Sequence, residues 1–270
     1  MGATTAINPG AFRARRTSAR KLVSIVAKHL RHQRPVEGVR RSLIELANFF
    51  SDRLPASTAR FECPCCGRRA FAFHHLRRAK TAWNSACPGC DSRSRHRGLA
   101  LLLPELLDAR RRPEPTRVLH VAPEPILMPL FRRSDVSYES CDYFLEDVTH
   151  QHQDLQALTL PSASYEFVLC NHVIEHVERD DLAVAEIARV LVPGGQAVIT
   201  IPGDWRRREN VDLPDRPNGH FRDYGSGVTE MFARSFAQVE TMPLARYDRT
   251  PEGLRRGIRA DDVAFLCRKA

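Results

Sequence analysis

Apolar and polar positions along this chain follow two rhythms, one suited to strands and one to helices. Arg117–Val121, Val136–Cys141, Phe167–Cys170 and Gln196–Ile201 read as strands, and Phe167–Cys170 is the short apolar run that a strand covered on both faces needs. Ser235–Thr241 and Asp262–Cys267 read as a closing hairpin pair. Behind Asp180 and Asp181, whose charges suit a helix start, Leu182, Ala185, Ile187, Ala188 and Leu191 recur as a buried stripe, and Pro193-Gly194-Gly195 stops the helix. From Phe167 to Pro202 the order is thus strand, loop, helix, tight turn and strand, one parallel crossover of an α/β sheet. Asn171 and His172 follow the apolar run at once, so the chain there reaches the carboxyl edge of its sheet, where open α/β sheets place ligands.

The front of the chain has the helical rhythm. Residues 18–32 place Leu22, Ile25, Val26 and Leu30 on one face and Arg20, Lys21, Lys28 and Arg31 elsewhere; Val36–Phe50 carries Val39, Leu43, Leu46, Ala47 and Phe50 as its stripe. Two such helices pack as a hairpin on a core, with a membrane surface as the alternative support. Gly98–Arg110 reads as a helix apolar enough to lie against a sheet, while residues 1–17, small, polar and basic, read as disordered.

A length of 270 residues accommodates one α/β domain and a small appendage. The chain is 43% apolar, yet no run approaches the roughly 18 apolar residues of a membrane span, and no secretory signal pattern opens it. The expected compartment is the cytoplasm, with an Arg-rich, acid-poor amino terminus leaving an organelle transit peptide open. The net charge of +9 is uneven: residues 1–60 hold 12 Lys/Arg against 3 Asp/Glu, 61–116 hold 11 against 5, and 117–270 hold 18 against 24. A basic front end meets nucleic acid, an anionic membrane or an acidic partner, or is simply a solvated face.

Cys63-Pro-Cys-Cys66-Gly and Cys87-Pro-Gly-Cys90 are two Cys-x-x-Cys knuckles. Each turn puts two thiolates on one side of an ion with backbone amides aimed at the sulfurs, so Cys63, Cys66, Cys87 and Cys90 are the expected ligands of a structural Zn²⁺ in a zinc ribbon. Cys65 is the spare thiol, and His74 and His75 are not needed. Disulfides or a redox dithiol are the alternative, disfavoured without a secretory context.

Two segments carry a resemblance. The HVIEHV that follows a strand and the RVLVPGG turn resemble class I S-adenosylmethionine (SAM) dependent methyltransferases. From Cys63 onward, the CPxCG and CPxC knuckles, the RHR run at Arg95–Arg97 and LHVAPEP resemble a bacterial group of zinc-ribbon-bearing SAM methyltransferases. The resemblance implies a seven-stranded, Rossmann-like class I sheet over 98–270, preceded by a zinc ribbon at 61–97 and a basic helical extension at 1–60.

It also implies a cofactor site. His120, Ala122 and Glu124 line the cofactor wall, Glu124 facing the methionine ammonium or alternatively supplying a helix amino-terminal charge. The glycine-rich turn common in the class is missing, since no glycine lies between Val118 and Phe131. Asp142 at a strand end accepts the ribose hydroxyls, Asp154 with Leu155 receives the adenine amino group, and Asn171 completes the rim; capping is the plainer role for either aspartate. His172, His220 and Tyr224 are the expected catalytic side chains, the last two from a His-x-Arg-x-Tyr-Gly element expected to face the acceptor. His172, Glu175 and His176 are alternatively cation ligands, or orient backbone only. The expected reaction is SAM-dependent methylation of a small-molecule or glycan-type acceptor, favoured at oxygen. The rivals are an RNA methyltransferase that uses the basic front half, and a non-enzymatic scaffold with a degenerate pocket. The sequence specifies no oligomeric state.

Overall fold

A computed structural model describes residues 19–32, 35–77, 81–110 and 113–270. Residues 1–17, expected to be disordered, lie outside the described residues. The chain divides into two units, Met1–Leu101 with Arg246–Arg259, and Leu102–Ala245 with Ala260–Ala270.

In the first unit, α1 (Ala19–His32) and α2 (Pro35–Ser51) form the expected helix pair, with Leu22 and Ile44 buried. The stripe predicted on α2 is displaced, because Val39, Leu43 and Phe50 are exposed. Ile44 and Asn48, four residues apart, share the face that meets the ribbon: the Asn48 side chain accepts from the His75 backbone N–H (2.9 Å) and donates to its carbonyl (3.2 Å). Satisfying a strand edge outweighed the tally of apolar side chains. His74 is likewise engaged, 2.9 Å from Asp52.

The segment expected to form a ribbon consists of two hairpins, β1 (Phe61–Glu62) with β2 (Arg69–Ala70) and β3 (His74–Arg77) with β4 (Thr81–Ala86). One knuckle is the β1–β2 turn and the other follows β4, closed by matching bonds: Gly67 N–H to Cys63 O at 2.8 Å and Asp91 N–H to Cys87 O at 2.9 Å. A late segment completes this unit. Glu62 N–H donates to Arg255 O and Arg255 N–H to Arg60 O, both at 2.9 Å. Residues 246–259, expected within a continuous 98–270 domain, belong here instead. Arg97 is fully buried and donates to the carbonyls of Arg256 and Gly257 (both 2.7 Å) and of Ser92, so one guanidinium joins the second knuckle to that late segment.

The second unit holds a mixed sheet. α3 (Ser94–Asp108) leads into β5 (Thr116–Val121) and β6 (Val136–Cys141); β7 (Tyr165–Asn171), α4 (Asp180–Val190) and β8 (Leu191–Thr200) form the crossover; β9 (Val211–Asp212) and β10 (Arg222–Asp223) make a small hairpin; α5 (Val228–Phe232), β11 (Gln238–Pro243) and β12 (Val263–Arg268) close the chain. The strand order is β11-β12-β8-β7-β5-β6, with β5 to β8 parallel and the last two antiparallel. No helix among the described residues is long and apolar enough to cross a membrane.

Three expectations need correction here. The sheet has six strands among the described residues, not seven: beyond β6 the polar stretch 147–157 makes only a one-residue parallel bridge, Cys141 to His150. There Thr149 and Ser140 exchange side-chain bonds with each other's backbone N–H, replacing ladder bonds. Second, residues 122–135 form a 3₁₀ turn at Met128–Phe131 in place of the expected helix, since Pro123, Pro125 and Pro129 lack N–H donors. Third, α4 buries Ala183, Val184, Ile187, Ala188 and Val190, while Leu182 and Ala185 are exposed: it is turned by about one residue from the stripe read in the sequence.

Candidate functional site

Strand register builds the rim. Val121 pairs with Cys141 on one side and Cys170 on the other, so the residues that follow, Ala122, Asp142 and Asn171, stand in one row at the carboxyl ends of β5, β6 and β7. Chain order reverses between β5 and β7, the switch point at which open α/β sheets bind ligands.

Ala122 takes φ 48°, the left-handed conformation usually left to glycine, and its N–H donates to Cys141 O at 2.8 Å. The missing glycine is thus a change of residue without a change of backbone. Ala122→Gly is expected to stabilise the fold by about 0.5–1 kcal/mol, because the left-handed penalty on a Cβ, about 1–2 kcal/mol, exceeds glycine's entropic cost of about 0.5–1 kcal/mol. The urea midpoint reads this, and a lowered midpoint would mean that the Ala122 methyl packs better than its backbone is strained.

Glu124, Asn171 and Thr200 form a chain across three strand ends: the Thr200 hydroxyl donates to Asn171 Oδ1, and Asn171 Nδ2 donates to the Glu124 carboxylate. With no helix after β5, Glu124 is not a helix-start charge. Thr200 was missed, although it is the one polar residue in the apolar run Ala197–Ile201. His120 lies in the core and not on the rim. It alternates with Leu119 and Val121 along β5, sits 3.2 Å from Tyr138 Oη, and burial lowers its pKa to about 4, so the ring is neutral at pH 7. Asp142 Oδ1 accepts the N–H groups of Phe144 (2.6 Å) and Leu145 (2.7 Å), while no second-oxygen contact commits Oδ2 among the described residues. Asp154 caps its own turn through Gln156 (2.9 Å), and Leu155 is core.

The histidines gather beside this row. His172, also left-handed at φ 54°, donates its backbone N–H to Thr200 O and holds Nδ1 3.1 Å from Glu175 Oε1. Glu175 and His176 lie on a 3₁₀ turn, Ile174–His176. The β9–β10 hairpin folds its tip over that turn: left-handed Arg216, Asn218 and Gly219 reverse the chain, and Phe221 N–H donates to Glu175 O at 2.8 Å. His220 therefore meets His176, their rings edge to face with centroids 4.8 Å apart. Burial lowers the His220 pKa and keeps that ring neutral at pH 7.

Tyr224 does not join them. It is fully buried, its hydroxyl donates to Asp180 Oδ2 at 2.9 Å, and burial followed by the Asp180 charge raises its pKa, so it stays a neutral donor. Arg222 pairs with the same carboxylate and with Asp212 at 2.7 Å. The His-x-Arg-x-Tyr-Gly element thus splits: His220 goes to the histidines, while Arg222 and Tyr224 clamp Asp180 at the start of α4, a position read in the sequence only as a helix-start charge.

In the first unit the four ribbon thiols converge. Cys63 Sγ lies 3.7 Å from Cys90 Sγ, and Cys66 Sγ 3.7 Å from Cys87 Sγ. An S–S bond is about 2.05 Å, whereas sulfurs at tetrahedral corners about 2.3 Å from an ion are about 3.8 Å apart. Gly89 N–H also points at Cys87 Sγ from 3.3 Å. Cys65 turns away toward His96 O, and its bond with Cys63 together with burial raises its pKa, keeping it a thiol.

Residues 113–199 match the sequence profile of the family described as methyltransferase domain. No curated protein matches the chain. Similar solved structures include a chain from the complex between the Haloferax volcanii Trm112 methyltransferase activator and the putative methyltransferase (15% identity, 65% of this chain and 93% of that one, TM-score 0.45). Another is the Burkholderia thailandensis 1,6-didemethyltoxoflavin-N1-methyltransferase with bound 1,6-didemethyltoxoflavin and S-adenosylhomocysteine (14% identity, 66% and 78%, TM-score 0.46). A putative sarcosine dimethylglycine methyltransferase from Galdieria sulphuraria is a third (17% identity, 63% and 86%, TM-score 0.43).

Proposed function

Since its methyltransferase domain makes this chain a SAM-dependent methyltransferase, we propose that it methylates a hydroxyl oxygen of a small-molecule or glycan-type acceptor, and that its ribbon carries a structural zinc. The observation that carries the reading is the row Ala122, Asp142, Asn171 with histidines opening beside it.

SAM supplies an electrophilic methyl group on a sulfonium. The left-handed turn at Ala122 lets backbone approach its methionine portion, and Glu124, steadied by Asn171 and Thr200, faces the ammonium. Asp142 holds its own loop with Oδ1 and would offer Oδ2 to the ribose hydroxyls, while Asp154 and Leu155 would border the adenine. His172 takes the acceptor's proton as methyl transfer proceeds, acting as general base. Tyr224 and Arg222 act at one remove by fixing Asp180. Cys63, Cys66, Cys87 and Cys90 fill a four-coordinate shell, which leaves no open position for chemistry on the zinc.

One rival reading loses support. The scaffold reading rested on the glycine-free turn, and Ala122 adopts the glycine-like conformation regardless. Labelled-methyl transfer from SAM is the test, run against polyols, glycans and RNA. Label is expected in a hydroxylated small acceptor; label in RNA, abolished by deleting residues 1–60, replaces the acceptor assignment.

A further inference from the structure

We propose that Glu175, His176 and His220 bind a divalent first-row transition-metal cation beside the rim. Glu175 is 1% exposed, and neither of its carboxylate oxygens accepts a hydrogen bond among the described residues. His172 Nδ1 lies 3.1 Å from Oε1 but outside hydrogen-bonding geometry, so it does not satisfy the carboxylate. A buried carboxylate in that condition calls for a positive partner.

The two imidazoles answer that need by their orientation. His176 Nδ1 lies 3.2 Å from Gly219 O, and a carbonyl only accepts, so Nδ1 carries the proton and Nε2 keeps its lone pair. Metal-binding histidines are held in this way, by a carbonyl behind the ring. One donor atom from each of Glu175, His176 and His220 lies within 4.8 Å of the other two. Donors about 2.1 Å from a tetrahedral ion sit about 3.4 Å apart, so binding would draw the three donor atoms together from separations of up to 4.8 Å. Two imidazoles and one carboxylate favour the series from Mn²⁺ to Zn²⁺ over Mg²⁺ or Ca²⁺, and three protein donors leave open positions for an acceptor oxygen. The set differs from the adjacent His172, Glu175 and His176 that spacing suggests: His220, 44 positions beyond His176, takes the place of His172.

The cation's role, polarising the acceptor hydroxyl, rests on the proposed methyl transfer; its binding does not. The test is Mn²⁺ titration of the full chain carrying a single zinc, at the cysteines, followed by electron paramagnetic resonance of the free ion. S-adenosylhomocysteine titration and circular dichroism of the same samples report on the cofactor site and the fold. One Mn²⁺ per chain is expected, with affinity at least tenfold weaker in Glu175→Gln and in His220→Ala and retained in His172→Ala. No saturable binding at millimolar Mn²⁺, or binding lost in His172→Ala and kept in His220→Ala, overturns the site. Mn²⁺ binding without S-adenosylhomocysteine binding would instead remove the methyl-transfer reading and leave the cation site standing.

Discussion

Cys87→Ser, or treatment with a strong chelator, is expected to remove the proposed zinc and unfold the knuckle hairpins. Structural zinc in a thiolate site supplies on the order of 10–16 kcal/mol of folding free energy, as much as a whole domain's net stability of about 5–15 kcal/mol. The strands around the knuckles are too short to compensate: β1 and β2 have two residues each. Without the ion, the two hairpins would be left with a small apolar centre, chiefly the paired rings of Phe61 and Phe73 with Ala86. Metal analysis should find one zinc in the native chain and almost none in Cys87→Ser, and amide exchange should accelerate across residues 61–91. Exchange should also accelerate at Glu62 and Arg255, whose backbones are joined. Cys65→Ser is the control and keeps its zinc, because Cys65 Sγ lies against His96 O. A chain without zinc whose knuckles stay protected would refute the ribbon assignment.

The second large effect falls on the cofactor. Asp142→Asn should weaken S-adenosylhomocysteine binding by about 10- to 100-fold, about 1.4–2.8 kcal/mol, the difference between a charged and a neutral acceptor for paired hydroxyls. The asparagine oxygen still receives the Phe144 and Leu145 N–H groups, so the loop keeps its shape and the loss belongs to the ligand. Asp142→Ala removes both functions and should bind more weakly still, with faster exchange at Phe144 and Leu145. Equal affinity in wild type and Asp142→Asn would leave Asp142 as a turn residue and move the ribose elsewhere.

Legibility in the sequence followed the range of the interactions involved. β6 was read to the residue, and β5 and β7 to within one or two; the last two are covered parallel strands, which announce themselves by local composition. The rim followed from them, since Ala122, Asp142 and Asn171 are simply the residues that follow the in-register positions Val121, Cys141 and Cys170. Failures came where a neighbour distant in sequence decided. Tyr224 read as a reacting group until Asp180 proved to lie 2.9 Å from its hydroxyl, 44 residues away. The α2 face was misjudged because Asn48 binds the backbone of His75, a bond with no trace in helical periodicity.

Local order along the chain therefore determined the α/β sheet, the knuckle cysteines and the acidic residues at strand ends, because each depends on residues within a few positions of one another. Tertiary structure alone decided that the strap at 246–259 completes the ribbon unit, that Arg222 and Tyr224 close on Asp180, and that His220 meets His176 above a buried Glu175. The physical reason is chain reversal. Left-handed residues at Arg216, Asn218 and Gly219 turn the β9–β10 tip back onto the rim, and the contacts so made join segments whose patterns are unremarkable apart.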